Sequence, residues 1–573
     1  MSRDAIGDAI RIMFRCDGGR TPEIGTGHVA RCSRLAEALL AQGGVEPSFV
    51  MQDNDFSREF ARGAGWKVHT FPEKDMKACA AIFAKRKPDI IVVDRLDSDP
   101  AFMEMANPLC KALVSFDDLG PGASLADMVI NGIVGDGKTV HGHTGYAGPR
   151  YVITPPELAT SLKEIRDGCK HVFVSFGGYD HLNLTLKSAR ALESLDPSRE
   201  VRLVVGGAYP FWSELEAFLK TSKRRFSLHK TPANYAELLT SSDLAIISGG
   251  LTLFEAMTAG VPALVLAQYE HQVITGKTYM KAGAADFLGM GDAVAEAEIM
   301  RRATGLISDR VARQRMSRSG QRLVDGEGLS RTTDLIRVVK PLKWDSDFFK
   351  IRIAKVTAPR ITQRMASFID SWCASNSIRC LYYLCDCDHA ESVRVAEAHG
   401  FHFTDIRVSF EMDMQDYAAR GADKSVRGCT EADLPAIKDI ARRSYSQSRY
   451  YYDGHFDTAT LERFYSDWLE TTFRSPRGKV FVAHKDGKPV GYISGEIDNR
   501  GRLGRIILVG VDEQSAGSGV GKHLVDAMLD WMHGQKAYVT EVVTQGRNIP
   551  AQRLYQKSGF KMVSAHIWYH KWF

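Results

Sequence analysis

Long apolar runs are absent from this 573-residue sequence. No stretch reaches the length of about 18 apolar residues that a membrane-spanning helix needs. Residues 1–8 also lack the apolar run of a secretion signal. We therefore expect a cytoplasmic protein that has no membrane partner.

Closely spaced cysteines are also few, and the net charge is small. The ten cysteines are scattered, and Cys385 and Cys387 form the only close pair, with no second pair at zinc-site spacing. We expect reduced, buried thiols and no metal. The net charge of +5 is small for this length and gives no reason to expect a nucleic-acid partner.

The chain length indicates several domains, since a domain usually contains about 100–200 residues. Up to about residue 335, short apolar runs alternate with helical patterns, which is typical of parallel β-sheets flanked by helices. Glycine and proline are frequent at residues 142–157, which predicts a boundary there. We therefore predict an α/β fold with two Rossmann-like domains, residues 1–150 and 151–338, facing each other across a cleft.

Two glycine loops lie near opposite ends of the chain, at residues 25–31 and 514–522. Each follows a strand-like run and opens a helix-like one, where free backbone N–H groups and the positive end of a helix can receive a phosphate. The sequence therefore predicts two phosphorylated ligands and two active sites.

Further glycine-rich loops end successive predicted strands, at residues 175–180, 206–207 and 248–255. Small residues let backbone N–H groups approach a diphosphate, Thr252 can donate a hydroxyl, and Glu255 can accept a ribose hydroxyl. A single glycine pair is more simply explained as a tight turn. Three pairs at successive strand ends favour a nucleotide site.

Residues 10–335 resemble the UDP-2,4-diacetamido-2,4,6-trideoxy-β-L-altropyranose hydrolases of pseudaminic acid biosynthesis, which are related to two-domain GT-B glycosyltransferases. The motifs are residues 25–31, 175–178 and 248–255, followed by Gly260-Val-Pro262 and His271-Gln272. Members release UDP by attack of water at the anomeric carbon, without a metal. The resemblance implies that these residues bind the UDP-sugar: Gly27, Arg31, Asp94, Gly178, Gly250, Thr252, Glu255 and Gln272.

His28 is the candidate catalytic base of this half. A histidine has a pKa near neutrality, which suits proton transfer from water. The alternative is a histidine that caps the helix or contacts a phosphate.

Residues 425–573 resemble the GCN5-related N-acetyltransferase (GNAT) superfamily. A strand ending at Val511 leads into Gln514-Ser-Ala-Gly-Ser-Gly-Val-Gly-Lys522 and a helix, and a second strand leads into residues 548–560. A P-loop is not indicated, because His523 follows the lysine where that motif requires serine or threonine. The resemblance implies that these residues bind acetyl-CoA: Val509, Val511, Gln514, Gly517, Gly519, Gly521, Lys522 and Asn548.

Tyr555 is the tyrosine that this resemblance implies as the proton donor to the departing thiolate. A purely structural tyrosine is the alternative. The base that deprotonates the acceptor amine stays open among Glu541, His455 and ordered water.

A narrower resemblance is to the N-acetyltransferases that act on dTDP-4-amino-4,6-dideoxygalactose. Residues 344–349 are similar to that family's opening motif, in a half-module at residues 339–420, and residues 448–453 to its acceptor side. Phe464, Tyr465 and Trp468 add aromatic rings, which either stack on a sugar nucleotide or only pack between helices.

The two resemblances describe consecutive steps of one pathway. An acetyl-CoA-dependent transferase acylates the 4-amino group of a UDP-linked sugar, and a hydrolase then removes UDP. The sequence therefore predicts a bifunctional enzyme whose partners are a UDP-amino sugar and acetyl-CoA, and it indicates no oligomeric state. The alternatives are a glycosyltransferase, or a nucleotide-sugar-binding module, fused to an amino-sugar N-acetyltransferase.

Overall fold

The computed structural model of the protein describes residues 9–19, 27–63, 65–133, 144–159, 162–415, 417–421 and 423–573. The chain forms two compact units, Met1–Val338 and Val339–Phe573. The finer boundaries that we expect inside these units, at residue 150 and between residues 420 and 425, stay predictions. No helix in the described ranges is long and apolar enough to cross a membrane.

The first half of unit 1 is a parallel sheet with helices, and its central strands are largely buried. The strands are β1 (Ile10–Cys16), β2 (Val45–Gln52), β3 (Val68–Phe71), β4 (Ile90–Asp94), β5 (Ala112–Phe116), β6 (Met128–Asn131) and β7 (Thr144–Ala147). The helices are α1 (Gly27–Gln42), α2 (Asp55–Gly63), α3 (Met76–Arg86) and α4 (Pro100–Ala106). The strand order is β3-β2-β1-β4-β5-β6-β7. Every residue of β4 and β5 is buried, as expected for parallel strands that helices cover on both faces.

The second half of unit 1 repeats this architecture. Its strands are β8 (His171–Ser175), β9 (Glu200–Val205), β10 (Ser227–Lys230), β11 (Leu244–Ile247), β12 (Ala263–Ala267) and β13 (Asp286–Met290). Its helices are α5 (Leu184–Ala191), α6 (Trp212–Thr221), α7 (Tyr235–Thr240), α8 (Leu251–Ala259), α9 (Glu270–Lys281), α10 (Glu296–Ser308), α11 (Arg310–Leu323) and α12 (Gly328–Arg337). The order β10-β9-β8-β11-β12-β13 is again parallel. The predicted pair of Rossmann-type sheets is confirmed.

Each sheet of unit 1 has one point where the strand order reverses. In the first sheet it lies between β1 and β4, and in the second it lies between β8 and β11. Loops that follow such neighbouring strands leave on opposite faces, so a crevice opens at the carboxyl ends of the strands. The loops before α1 and α8 start from these points.

Unit 2 is built on one mixed sheet. Its strands are β14 (Val339–Pro341), β15 (Ile353–Val356), β16 (Cys380–Asp386), β17 (His402–Asp413), β18 (Val426–Gly428), β19 (Gly478–Lys485), β20 (Lys488–Ile497), β21 (Leu503–Val511), β22 (Val539–Gln545) and β23 (Lys561–Trp572). Its helices are α13 (Lys343–Phe349), α14 (Gln363–Ser375), α15 (Ala390–Ala398), α16 (Leu434–Ser444), α17 (Arg449–Asp453), α18 (Thr458–Arg474), α19 (Val520–Gly534) and α20 (Ile549–Lys557).

The two sequence halves of unit 2 share this sheet. The strand order is β14-β15-β16-β23-β17-β22-β21-β20-β19-β18, so the final strand β23 lies between β16 and β17 of the first half. Strand β17 in turn pairs with β22 of the second half. Neither half has a complete sheet without strands of the other.

The sheet of unit 2 carries a hydrophobic core on each face. Leu524, Val525 and Tyr555, from α19 and α20, belong to one core. Ile440 and Phe464, from α16 and α18, belong to the other. The alternation of side chains along a strand assigns neighbouring residues to opposite faces.

Strands β21 and β22 separate part-way along their length. They pair in parallel only where Leu503–Ile506 lies opposite Val539–Val542. Beyond this point β21 keeps its antiparallel partner β20 up to Val511. The edge of β21 that faces β22 is therefore open at its carboxyl end.

Helix α12 ends unit 1 by packing against its first half. The Gln42 side chain at the end of α1 donates to the Thr333 hydroxyl at 3.2 Å. At the start of α12, a Cβ on Gly328 would clash with the carbonyl oxygen of Val152. The close approach of these two backbones therefore requires glycine at residue 328.

We expect Gly328→Ala to lower the stability of unit 1 by about 1–3 kcal/mol, because the backbone of Val152 must move to admit the methyl group. Thermal unfolding followed by circular dichroism measures this change. Gly305→Ala is the matched control, since none of the described atoms lies within 4 Å of a Cβ there and the residue is inside helix α10. That control should gain up to about 1 kcal/mol from helix propensity. Equal shifts for both variants would contradict the packing argument.

Candidate functional sites

His28 and Asp94 meet at the reversal point of the first sheet. Asp94 is the last residue of β4, and His28 is the second residue of α1, which follows the neighbouring strand β1. The His28 Nδ1 atom lies 2.7 Å from Asp94 Oδ1, and the two side chains are 33% and 1% exposed. With Nδ1 donating its proton to the carboxylate, the Nε2 lone pair faces outward and can accept a proton.

Arg31 lies one helical turn after His28 and holds the same carboxylate. Its Nε donates to Asp94 Oδ2 at 2.9 Å, and it also forms an ion pair with Asp117. Its guanidinium carbon lies 4.6 Å from the centre of the Phe116 ring. Burial would raise the pKa of Asp94, but the charge of Arg31 and the hydrogen bond from His28 hold that pKa well below its usual range.

Asp117 completes this cluster although it is not among the predicted ligands. It follows β5 with a left-handed φ of 46°, and its Oδ1 accepts the N–H groups of Gly132 at 2.7 Å and Ile133 at 2.9 Å. Burial raises the pKa of Asp117. The structure thus brings together His28, Arg31 and Asp94. The charge of Arg31 is already neutralised within the protein by Asp94 and Asp117. Its direct contact with a UDP-sugar stays a prediction.

Gly27 begins α1 and is exposed, whereas Gly25 and Thr26 of the same predicted loop lie outside the described residues. At the first position of the helix, the Gly27 N–H has no acceptor inside the helix. The end of the loop therefore presents a donor next to His28.

The glycine loops of the second sheet lie at its reversal point. Gly177 and Gly178 follow β8, and Gly249 and Gly250 follow the neighbouring strand β11. A Cβ at Gly249 would lie 2.9 Å from the backbone oxygen of Gln272, and one at Gly250 would lie 3.3 Å from its Nε2. The structure therefore brings Gln272 against the loop that precedes α8.

Thr252 and Glu255 lie in α8 and are 9% and 8% exposed. The Tyr235 hydroxyl donates to Glu255 Oε2 at 2.7 Å. Burial raises the pKa of Glu255, while Tyr235 and the more distant charge of Arg34 lower it. Because Arg34 belongs to α1, this interaction brings a positive charge of the first half of unit 1 within electrostatic range of α8.

Unit 2 contains a cavity of about 1560 Å³ at the divergence of β21 and β22. Seven of the eight residues predicted to bind acetyl-CoA line it, and Gln514 does not. The predicted proton donor Tyr555 also lines it, as do Trp344 and residues 448–450 from the predicted acceptor side. One cavity therefore holds both predicted halves of the transferase site.

The backbone of Val509 and Val511 faces the open edge of β21. The Asp512 N–H donates to the Val490 carbonyl of β20 at 2.9 Å, so the alternation along the strand turns the N–H groups of Val509 and Val511 the other way. An amide-containing chain such as pantetheine could pair with this edge as an added strand. The Tyr445 hydroxyl donates to the Val509 carbonyl at 3.1 Å, which the sequence did not predict.

Residues 515–519 form the turn that leads into α19, and residues 520–522 are the first residues of that helix. Gly517 and Gly519 have φ angles of 76° and 92°, which only glycine adopts without strain. A Cβ at Gly521 would lie 3.3 Å from Leu554 Cδ2. The first N–H groups of α19 lack acceptors inside the helix, so they are available to a pyrophosphate. The Lys522 ammonium lies 2.5 Å from Asp526 Oδ2 of the same helix.

Asn548 and Tyr555 belong to the α20 region. The Asn548 side chain accepts the Ala551 N–H at 3.1 Å, so it caps the helix. The ring of Tyr555 lies 6.0 Å from that of Phe410 and 5.9 Å from that of Phe560. Burial raises the pKa of Tyr555 and keeps its phenol protonated at neutral pH.

The two side chains considered as the acceptor base do not line the cavity. Glu541 lies 3.5 Å from Arg505 on the paired part of β21 and β22. His455 lies 2.8 Å from Asp453 and stacks on Trp572. Among the described carboxylates at the acceptor end, Asp345 and Asp405 do line the cavity.

Comparison with known proteins bears on unit 1 first. The chain is 30% identical over 332 residues to the spore coat polysaccharide biosynthesis protein SpsG of Bacillus subtilis, covering 56% of this chain and 96% of that protein. The chain belongs to the SpsG family. The SpsG-like unit also resembles the structure of MurG from Acinetobacter baumannii, with a TM-score of 0.46 and 16% identity over 57% of this chain and 99% of that one.

Unit 2 matches a different family. Residues 434–560 match the acetyltransferase (GNAT) family. The chain is also 23% identical over 241 residues to the dTDP-fucosamine acetyltransferase of Escherichia coli O6:H1, covering 41% of this chain and 97% of that protein. The predicted fold class, with a GNAT region after two Rossmann-like sheets, is confirmed. The chain thus joins an SpsG-like unit to an N-acetyltransferase unit of a family that uses acetyl-CoA.

We expect Gly519→Ala to weaken binding of CoA about tenfold, because the left-handed backbone at this residue costs a side chain about 1–2 kcal/mol. Isothermal titration of the full chain with CoA measures the dissociation constant. Gly534→Ala, at the far end of α19, is the control, since it has no left-handed φ and no described atom lies within 4 Å of its Cβ. Unchanged CoA affinity in Gly519→Ala would exclude the loop from the CoA site.

Proposed function

We propose that the chain is a bifunctional nucleotide-sugar enzyme of pseudaminic acid biosynthesis. Unit 2 transfers acetyl from acetyl-CoA to the 4-amino group of a UDP-linked 2-acetamido-4-amino-trideoxy sugar. Unit 1 then hydrolyses the product, UDP-2,4-diacetamido-2,4,6-trideoxy sugar, and releases UDP. One observation carries the proposal: each unit gathers its own reactive groups, His28 with Asp94 in unit 1 and Tyr555 beside the open edge of β21 in unit 2.

Hydrolysis in unit 1 uses the outward nitrogen of His28. Nε2 takes a proton from water while the water oxygen attacks the anomeric carbon, and the bond to the β-phosphate oxygen breaks. Asp94 fixes the tautomer of His28 and stabilises the imidazolium that forms. UDP is a good leaving group, so the remaining task is to hold its charge, which the N–H groups at Gly178 and Gly250 can do.

Acetyl transfer in unit 2 needs no covalent enzyme intermediate. The acceptor amine attacks the thioester carbonyl, the C–S bond breaks, and Tyr555 donates its proton to the departing thiolate. The proton that the amine releases restores the phenol of Tyr555. Two observations support placing this reaction in the cavity of unit 2. The open edge of β21 and Tyr555 line one cavity, and Trp344 and residues 448–450 of the predicted acceptor side line the same cavity.

The full chain incubated with acetyl-CoA and the UDP-linked 4-amino sugar should release both free thiol and free UDP, followed by mass spectrometry. His28→Ala should lower UDP release by about 100-fold or more and leave thiol release unchanged, because only the base of unit 1 is lost. Tyr555→Phe should slow thiol release and leave hydrolysis of the synthetic diacetamido substrate unchanged. Each variant is the control for the other.

Three outcomes would contradict this proposal. Thiol release without UDP release would reject the hydrolase. UDP release at background rate in both wild type and His28→Ala would leave unit 1 as a nucleotide-sugar-binding module. UDP release that requires an added sugar acceptor would indicate a glycosyltransferase.

The pH dependence of acetyl transfer tests the proton donor. Because burial raises the pKa of Tyr555, the phenol keeps its proton at pH values where a free tyrosine, with a pKa near 10, begins to lose it. We expect kcat for thiol release to show no decline between pH 8 and about pH 10 after subtraction of acetyl-CoA hydrolysis. A decline below pH 9 that vanishes in Tyr555→Phe would contradict this assignment.

A further inference from the structure

Three arginines border the acceptor end of the cavity in unit 2: Arg407, Arg449 and Arg547. Each has a buried guanidinium nitrogen with no hydrogen-bond partner in the described structure, namely Nε of Arg407 and Nη1 of Arg449 and Arg547. Buried charged donors without acceptors are unfavourable, so such groups call for an explanation beyond the fold. A bound anion is the partner that all three would share.

Arg449 is fixed in place by aromatic rings rather than by a carboxylate. Its guanidinium carbon lies 3.8 Å from the centre of the Trp568 ring, 4.6 Å from that of Tyr382 and 4.5 Å from that of Tyr450. Nη2 donates to the Tyr450 hydroxyl at 2.6 Å, and Nη1 is left over. The rings hold the cation in one orientation without neutralising it.

Arg407 lies on β17 opposite Gln545 of β22, near the divergence of the sheet. Burial lowers the pKa of Arg407, and the like charge of Arg449 lowers it further, although Glu541 raises it. Two arginines that repel each other inside one cavity would be stabilised by an anion between them.

Arg547 follows β22 and is the most firmly held of the three. Its Nη2 donates to the Thr404 carbonyl at 2.9 Å, its guanidinium carbon lies 3.4 Å from the Tyr452 ring centre, and its Nε lies 3.6 Å from Asp405. The carboxylate of Asp405 thus balances the positive charge of Arg547, one of the three arginines.

Two of these arginines, Arg407 and Arg449, lie on the face of the sheet opposite the glycine turn of residues 515–519. Val408 and Phe410 of β17 belong to the core of α19 and α20, so Arg407 points to the other face. The aromatic partners of Arg449 belong to the core of α16 and α18. Arg407 and Arg449 therefore reach the shared cavity from the face of the sheet opposite the turn before α19.

We infer that Arg407, Arg449 and Arg547 form a second anion site, which binds the diphosphate of a nucleotide-linked amino-sugar acceptor. The inference rests on the proposed acetyl transfer. The phosphates of CoA are the other source of the same chemistry, and the position on the opposite face favours the acceptor. The nearby carboxylate of Asp345 complements the amine of such a ligand.

The test compares two acceptors in the full chain: the UDP-linked 4-amino sugar and the same amino sugar without its nucleotide. Arg449→Met and Arg407→Met should each lower kcat/KM for the UDP-linked acceptor about tenfold or more. The same variants should change kcat/KM for the free amino sugar less than about twofold, since it has no diphosphate to lose, and the KM for acetyl-CoA should stay unchanged. Arg442→Met, an exposed arginine of α16, is the matched control and should change neither.

Activity with the free amino sugar also shows whether a variant is folded. If Arg449→Met loses activity with both acceptors and unfolds, Arg547→Met repeats the test at a side chain that is 23% exposed. Equal losses with both acceptors in folded variants would overturn the anion site, and a rise confined to the KM for acetyl-CoA would assign the arginines to CoA. Both results leave acetyl transfer intact, whereas a wild-type chain inactive with both acceptors would reject the proposed function itself.

Discussion

Neighbouring parallel strands whose chains part at their carboxyl ends impose the main constraint on this chain. At the reversal points of unit 1, the following loops leave on opposite faces and a crevice opens between them. In unit 2, the parallel pair β21 and β22 diverges after Ile506 and leaves backbone groups unpaired. Buried backbone groups need partners, so these openings are where ligands can add hydrogen bonds that the protein does not supply. The candidate side chains of both units lie at such openings.

The charge cluster of unit 1 has a physical purpose that stability alone does not explain. Asp94 and Asp117 carry two negative charges against the single positive charge of Arg31, and burying such a set is costly. When His28 takes up a proton, the charges of the four groups balance. In the proposed hydrolysis, Asp94 is therefore already placed beside the positive charge that His28 would gain.

Sequence reasoning succeeded where local pattern decides structure. The apolar run Ile90–Val93 predicts a buried strand by itself, and the closely spaced glycines around Gly519 predict a tight turn. Short edge strands such as β10, whose residues are all partly or fully exposed, have no such pattern and were not predicted. The ion pair of Arg31 with Asp117 and the place of β23 between β16 and β17 join residues far apart in sequence, which periodicity does not reveal. The unpartnered guanidinium nitrogens of Arg407, Arg449 and Arg547 can be identified only once the burial of these side chains is known.

The order of the two proposed reactions follows from what each site can hold. If the arginines of unit 2 bind the diphosphate of the acceptor, acetylation must occur while the sugar still carries its nucleotide. Hydrolysis first would remove the diphosphate that the three arginines are proposed to bind, and the free amino sugar would leave the unpartnered nitrogens of Arg407 and Arg449 without an anion. The hydrolase, in contrast, needs the nucleotide only as its leaving group and loses nothing when the distant amine is already acetylated. If both proposals hold, the reactions run from unit 2 to unit 1, against the order of the units along the chain.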